Sequence, residues 1–198
     1  MEKSCPGQFR RIPPGISRKP GGERVTPMTF TVDTREPWPH PWATHFSAAV
    51  QLEKGTLETG DFAMAALPDG VVIERKTVSD LLGCIGKGRE RFERELQRGR
   101  YCGRLVVIVE GALVEVLRET RAIHPNAIIG TLAAWQRRYA PFCFAGAVKT
   151  AAQMAEALLR GQVRDIERAA RTIAAGSSNT FGNRGQPSDI ARTEGHQP

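Results

Sequence analysis

Four side chains in this sequence of 198 residues could act together on a phosphate ester. "TGDF" (59–62) carries Asp61, "VVIERK" (71–76) carries Glu74 and Lys76, and "TVDTREPW" (31–38) carries Asp33. Carboxylates brought to one point repel unless a cation neutralises them, and Mg²⁺ takes carboxylate oxygens, waters and substrate phosphate oxygens as ligands. Such a metal acidifies a bound water and draws off the charge that develops on a phosphodiester, while a neighbouring lysine orients or stabilises the attacking hydroxide. Hydrolysis of a nucleic-acid backbone needs these parts.

The residues act together only if the chain positions them. In a strand, alternate side chains share a face, so Val72, Glu74 and Lys76 stand on one side and Val71, Ile73 and Arg75 on the other. Upstream, "LPDG" (67–70) suits a type I turn between two extended segments. If Leu67 pairs with Gly70, Asp61 falls opposite Lys76 and diagonal to Glu74. A bulge at Gly70 would slip the pairing by one residue and turn Asp61 to the opposite face. Each residue also has an ordinary reading: Asp61 as a turn residue, Glu74 to Lys76 as a strand end reaching solvent, and "TVSD" (77–80) as a capping box ending on Asp80. Taken together, with Asp33 closing the first strand, coincidence explains them poorly.

The remaining elements follow from periodicity. "MTFTVD" (28–33), "RLVVIVEG" (104–111) and "FCFAGAV" (142–148) read as further strands, the second as a buried central one. "TVSDLLGCI" sets Val78, Leu81, Leu82 and Ile85 on one helical face, "HPNAIIGTLAAWQRRY" opens a helix at Pro125, and "TAAQMAEALLRGQVRDIERAA" is a long Ala-rich amphipath. Alternating strands and helices predict an α/β domain with a mixed sheet and helices on both faces. That domain is expected over residues 28–175, between a flexible basic tail (1–27) and a disordered polar tail (176–198).

Composition agrees with one globular domain, at 40% hydrophobic residues. The net charge of +7 attracts polyanions, nucleic acid above all. No apolar run is long enough to span a bilayer and the N-terminus lacks a secretory apolar region, so a cytoplasmic, DNA-associated protein with no membrane partner is expected. Cys5, Cys84, Cys102 and Cys143 form no C-x-x-C pair and read as reduced thiols.

In "GKGRERFERELQRGR" Phe92 and Leu96 face the core, while Arg91, Arg94 and Arg98 share another stripe. With Lys87, Arg89 and Arg35, this stripe would position phosphates without reading bases. A solvated face with Glu90 paired to Arg94 is equally compatible. His40 and His45, five apart in a Pro-rich loop, read as ordinary loop histidines rather than metal ligands. Trp38 and Trp42 either stack on unpaired bases or, as proline-flanked tryptophans more often do, pack their loop against the core.

"VDTREP", "GDF" and "VIERKTVSDLLGCI", followed by "GRERFERELQR", resemble the nuclease domain of the XPF family of structure-specific endonucleases, with its GDx…ERKxxxD signature, over roughly residues 29–160. The resemblance implies a restriction-endonuclease-like fold of the PD-(D/E)xK class and Mg²⁺- or Mn²⁺-dependent cleavage of DNA. By position, Asp33, Asp61 and Glu74 match the metal-binding carboxylates and Lys76 the catalytic lysine. Arg75 and Asp80 match the remaining catalytic charges, and Arg35 with Glu36 the pair after the first aspartate. Arg75 points away on a straight strand, which favours a structural or phosphate-positioning role, and for Asp80 capping and active-site roles can coexist. Family members usually carry a tandem helix-hairpin-helix module after this domain, whereas this chain ends in a polar tail. A small stand-alone endonuclease is therefore expected, acting on branched or flapped DNA in repair, recombination or replication-intermediate processing. The resemblance also implies a homodimer through the nuclease domain, with the Ala-rich helices from Pro125 onward as its contact. The rival is a non-catalytic DNA-binding subunit paired with an active partner, which has no chemical need for Asp61, Glu74 and Lys76 together; a basic RNA-binding protein would leave the acidic residues unexplained.

Overall fold

Period-two patterning and continuous apolar runs become strands, and helical spacing becomes helices, in a computed structural model that describes residues 27–101, 104–119 and 122–180. In chain order these are β1 (Met28–Asp33), β2 (Val50–Gly55), β3 (Phe62–Met64), β4 (Leu67–Thr77), α1 (Val78–Ile85), α2 (Arg89–Tyr101), β5 (Arg104–Glu110), α3 (Leu113–Glu119), α4 (Pro125–Arg138), β6 (Phe142–Phe144) and α5 (Val148–Thr180). The strands form one mixed sheet in the order β2-β1-β3-β4-β5-β6. β1 with β2, β4 with β5 and β5 with β6 are parallel, whereas β3 runs antiparallel to both of its neighbours. The chain divides into two compact units at Arg160/Gly161, and the sheet lies wholly in the first.

The apolar faces foreseen from spacing for α1 and α2 are buried, and α4 adds one that its spacing was not used to predict. Val72, Val107 and Val109 of the sheet pack with Leu81 and Ile85 of α1, Phe92 and Leu96 of α2, and Ile128, Leu132 and Trp135 of α4. Each such large side chain contributes roughly 1.5–3 kcal/mol on leaving water. Phe30, Val32 and Phe62 alternate to the other side of the sheet, where Trp42 stacks on Phe62 at 5.0 Å between ring centroids. Gly99 on α2 lies so close to β5 that a Cβ there would fall 2.4 Å from Leu105 Cδ2, which fixes helix against strand.

The structure departs from the sequence reading in four places. The turn between β3 and β4 falls at Ala65 and Ala66, joining Met64 to its partner Leu67, and "LPDG" lies within β4 where the register shifts. Pro68 has no N–H for the ladder, so pairing breaks there and resumes where Val72 and Ile73 meet Ala63 and Phe62. β2 was not anticipated: "VQLEKG" is an edge strand whose exposed Gln51, Glu53 and Lys54 mask its period. α3 was not anticipated either, and α5 runs to Thr180, so Gly176 to Thr180 are helical although they fall in the expected polar tail. Residues 1–26 and 181–198 of the expected tails, with Cys5 and Cys102, lie outside the described residues. Cys84 and Cys143 are free thiols. Among the described residues no helix is long and apolar enough to cross a membrane.

Candidate active site

The register that replaces the expected one brings the acidic residues into a row. Phe62 pairs with Ile73 and Val32 with Phe62, so one step further along, Asp61 faces Glu74 and Asp33 faces Asp61. Backbone bonds tie Asp61 to both neighbouring strands: its N–H donates to Ile73 O at 2.7 Å and its O accepts from Asp33 N–H at 2.9 Å. Asp61 therefore sits opposite Glu74 rather than Lys76, a shift of two residues from the expected pairing. Asp61 stays close enough for its charge to act on both Glu74 and Lys76. Gly60 makes the approach possible. Its φ is +74°, and a Cβ would lie 2.4 Å from Val72 Cγ1 and 3.0 Å from Ile73 O.

Glu74 is only 1% exposed. Its Oε1 accepts from Lys76 Nζ, while its Oε2 is buried with no hydrogen-bond partner. Lys76 Nζ lies 4.9 Å from the centroid of the Phe92 ring, so α2 roofs the ion pair with an aromatic face. Asp61 Oδ2 accepts from the Arg75 backbone N–H at 2.7 Å. Burial, reinforced by the Glu36 charge, pushes the Asp61 carboxyl up to about 7, and burial next to Asp61 pushes Glu74 up to about 8. Burial acts against the charged form of Lys76, but the Glu74 carboxylate outweighs it and the ammonium rises to about 12. The three form one site with a fixed cation and two carboxyls that resist ionising together.

Asp33 stands in the row but its oxygens are engaged elsewhere. Oδ1 accepts from the backbone N–H and Nε of Arg35 at 2.9 and 2.5 Å, and Oδ2 from Leu57 N–H at 2.9 Å. Burial opposes ionisation, and these bonds prevail and hold the carboxyl below its ordinary range. Arg35 is thus tied to Asp33, although its side chain remains 65% exposed. Arg75 points to the other face, as alternation requires. There its Nε and Nη2 grip Glu110 at 2.8 and 2.9 Å, Glu110 also accepts from Trp42 Nε1, and Nη1 reaches Glu36 at 3.8 Å. Asp80 is exposed and serves the cap of α1: its N–H donates to Thr77 Oγ1 at 3.1 Å, and that hydroxyl donates to Asp80 Oδ2 at 2.7 Å.

On α2, Phe92 and Leu96 are buried while Arg91, Arg94 and Arg98, like Lys87 before the helix, are exposed. Arg89 differs: it pairs with Glu93 at 3.1 Å, donates to Thr131 Oγ1 at 3.0 Å and lies over the Trp135 ring. His45 lies in the 3-10 turn Ala43–His45, whereas His40 is buried, accepting from Trp42 N–H on Nδ1 at 3.0 Å and so donating from Nε2 to Glu36 at 3.0 Å. Sequence reasoning did not single out Glu110, Glu95 or the Glu36–His40 pair. Glu95 lies one helical turn beyond Phe92, and its charge bears on Asp61, Glu74 and Lys76. Its spacing from Phe92 was the available signal; Glu110 and His40 carry none, since their partners are distant or hidden in a loop.

Among the described residues, no three His, Cys, Asp or Glu side chains converge closely enough to cage a metal. The donor set that fits a cation is the pair Asp61 and Glu74. Its orphan oxygen and mutual repulsion are what a divalent ion would relieve, with waters and phosphate oxygens completing the shell.

A mixed sheet bearing acidic residues on adjoining strands, followed by glutamate and lysine two apart on β4, defines a nuclease-type α/β domain of the restriction-endonuclease-like class. The ERCC4 domain family matches residues 32–158, and the chain belongs to that family. DNA repair endonuclease XPF from Cricetulus griseus and from Mus musculus are each 33% identical over 99 residues, which cover 49% of this chain and 10% of theirs. The match thus spans about a tenth of the length of these curated relatives. A structure of XPF from Aeropyrum pernix in complex with DNA superposes with a TM-score of 0.58 at 26% identity, covering 70% of this chain and 66% of that one. A second structure of XPF from Aeropyrum pernix gives 0.54 at 22% identity, covering 86% and 69%. The fold is that of an XPF-type nuclease domain.

Proposed function

We propose that this chain is a metal-dependent DNA endonuclease acting on branched or flapped DNA in repair, recombination or replication-intermediate processing. The observation that carries the reading is the buried Glu74, with Lys76 on one oxygen, the other oxygen unpartnered, and Asp61 facing it across the strand pair. A divalent cation, Mg²⁺ or Mn²⁺, would supply an acidified water and a counter-charge for the phosphate. Asp61 and Glu74 would hold it. Lys76, kept protonated by Glu74 and roofed by Phe92, would orient the attacking hydroxide and stabilise the pentacoordinate phosphate charge. Arg75, locked to Glu110, keeps the end of β4 in place and gives its N–H to Asp61. Arg91, Arg94 and Arg98 would hold the backbone of the bound DNA.

The test is cleavage of labelled three-way junction, 3′-flap and plain duplex DNA with Mg²⁺ or Mn²⁺, beside an EDTA control and the Asp61→Ala, Glu74→Ala double variant. Metal-dependent cutting that disappears in the variant is expected. Tight binding by both proteins without cutting under either metal would overturn the enzyme and favour a non-catalytic DNA-binding subunit.

A further inference from the structure

The loop between β1 and β2 treats its two tryptophans differently. Trp42 is 0% exposed, stacked on Phe62, with its Nε1 bonded to Glu110. Trp38, four residues earlier, is 51% exposed, and Lys54 of β2 places Nζ over its ring at 5.8 Å from the centroid. That ammonium also donates to Thr34 O at 3.4 Å and Glu36 O at 3.1 Å, so the start of the loop, just after Asp33, is tied to the edge strand. His40, bonded to Glu36 and to Trp42 N–H, pins the loop from below. Pro37, Pro39 and Pro41 restrict the backbone between these anchors. An aromatic ring is thus held in water by a stiff, doubly anchored loop, and little ordering entropy remains to be lost when something covers it.

Resting on the reading of the site as a DNA endonuclease, we infer that Trp38 is a stacking platform for an unpaired base of the DNA, with Lys54 and Arg35 taking the adjoining phosphates. Three observations favour a nucleobase over a protein surface. Among the described residues Trp38 is the one exposed large hydrophobic side chain on the β1–β2 loop, the others lying on helices. Lys54 is exposed and, among the described residues, forms no ion pair, its Nζ bonding backbone carbonyl oxygens, while the Arg35 guanidinium, though paired with Asp33, keeps 65% of its side-chain surface exposed. Lys54, whose ammonium lies over the ring, pairs in the sheet with Val32, the residue before Asp33, which ties the ring to the end of β1 that carries the first acid. Stacking on a planar side chain is tolerant of sequence and available only to bases out of the duplex. Trp38 would therefore give the reaction a preference for single-stranded nucleotides next to the cut.

Trp42 and Trp135 are fully buried, so Trp38 is the one solvent-facing tryptophan of three and reports on its own surface. In EDTA, titration with oligothymidylate, a 3′-flap substrate and a blunt duplex should quench tryptophan emission for the first two and leave it nearly unchanged for the duplex. Binding would be followed in parallel by anisotropy of the labelled DNA. Trp38→Ala should lose the quench and weaken single-strand and flap binding by about 5- to 100-fold, with duplex binding changed less than about twofold and circular dichroism unaltered. Trp38→Phe should recover most of the affinity. Unchanged emission at saturating oligonucleotide, an equal loss on duplex, no DNA binding at all, or emission that shifts with protein concentration alone, as a contact between copies would give, overturns the inference. The two readings separate cleanly: a chain that quenches on single strands but never cuts loses the enzyme and keeps the platform. One that cuts all three substrates equally, with or without Trp38, keeps the enzyme and loses the platform.

Discussion

At the scale of single residues, the site is set by which charges the chain chooses to leave unpaired. Asp61 and Glu74 have folded-state pKa values near 7 and 8, above their unfolded values, because burial and mutual repulsion disfavour the charged forms. The stability they contribute is complete below the unfolded pKa near 4 and is lost as pH rises through those folded values. In EDTA the melting temperature should therefore fall between about pH 5 and 8 more steeply than in an Asp61→Asn, Glu74→Gln variant. Adding Mn²⁺ should raise it more at pH 8 than at pH 5, in the wild type alone. Equal slopes in the two proteins by thermal shift would show that the pair does not titrate as described. Glu110 makes the second case. Replacing it with alanine strands the largely buried Arg75 guanidinium and the Trp42 N–H, so Glu110→Ala should cost about 3–5 kcal/mol in urea unfolding and Glu110→Gln distinctly less.

At the scale of elements, two local devices fix the geometry. Gly60 lets the strand pair close over Val72, and Gly60→Ala adds strain at a positive φ to a steric overlap. That variant should unfold about 1–3 kcal/mol earlier and, where folded, cleave DNA at least about tenfold more slowly while binding it as before. Thr77 caps α1, and Thr77→Ala should cost about 1 kcal/mol. Asp80 shares the cap, so Asp80→Ala should lower stability by a similar amount with only a small loss of cleavage; abolished cleavage at unchanged melting temperature would place Asp80 in the chemistry instead. The apolar faces of α1 and α2 were legible because their apolar residues recur at helical spacing. β2 was not, since an edge strand needs charge on the face that would otherwise show its period.

At the scale of the molecule, the proposed DNA binding would draw on the net charge of +7 and on the arginine stripe of α2. Converting Arg91, Arg94 and Arg98 to Gln should reduce the slope of log affinity against log salt by up to about 2.7 for duplex DNA, and equally across sequences. A slope left unchanged would mean that the stripe is a solvated face. This test separates electrostatic holding from the stacking assigned to Trp38, which salt affects little.

The sequence by itself determined the α/β class, the central strands, the helical faces of α1 and α2, and the placing of Glu74 and Lys76 on one side of β4, because strand alternation and helical period are local properties. It could not decide which acids meet. Register between β3 and β4 depends on where Pro68 breaks the ladder and which apolar side chains claim the core, and only the packed sheet set Asp61 opposite Glu74. Nor could it tell that Asp33 spends its oxygens on Arg35 and Leu57, or that of two neighbouring tryptophans one is core and the other solvent-facing. Each of those outcomes is a competition for a partner distant in sequence, and such a competition is resolved only when the chain is folded.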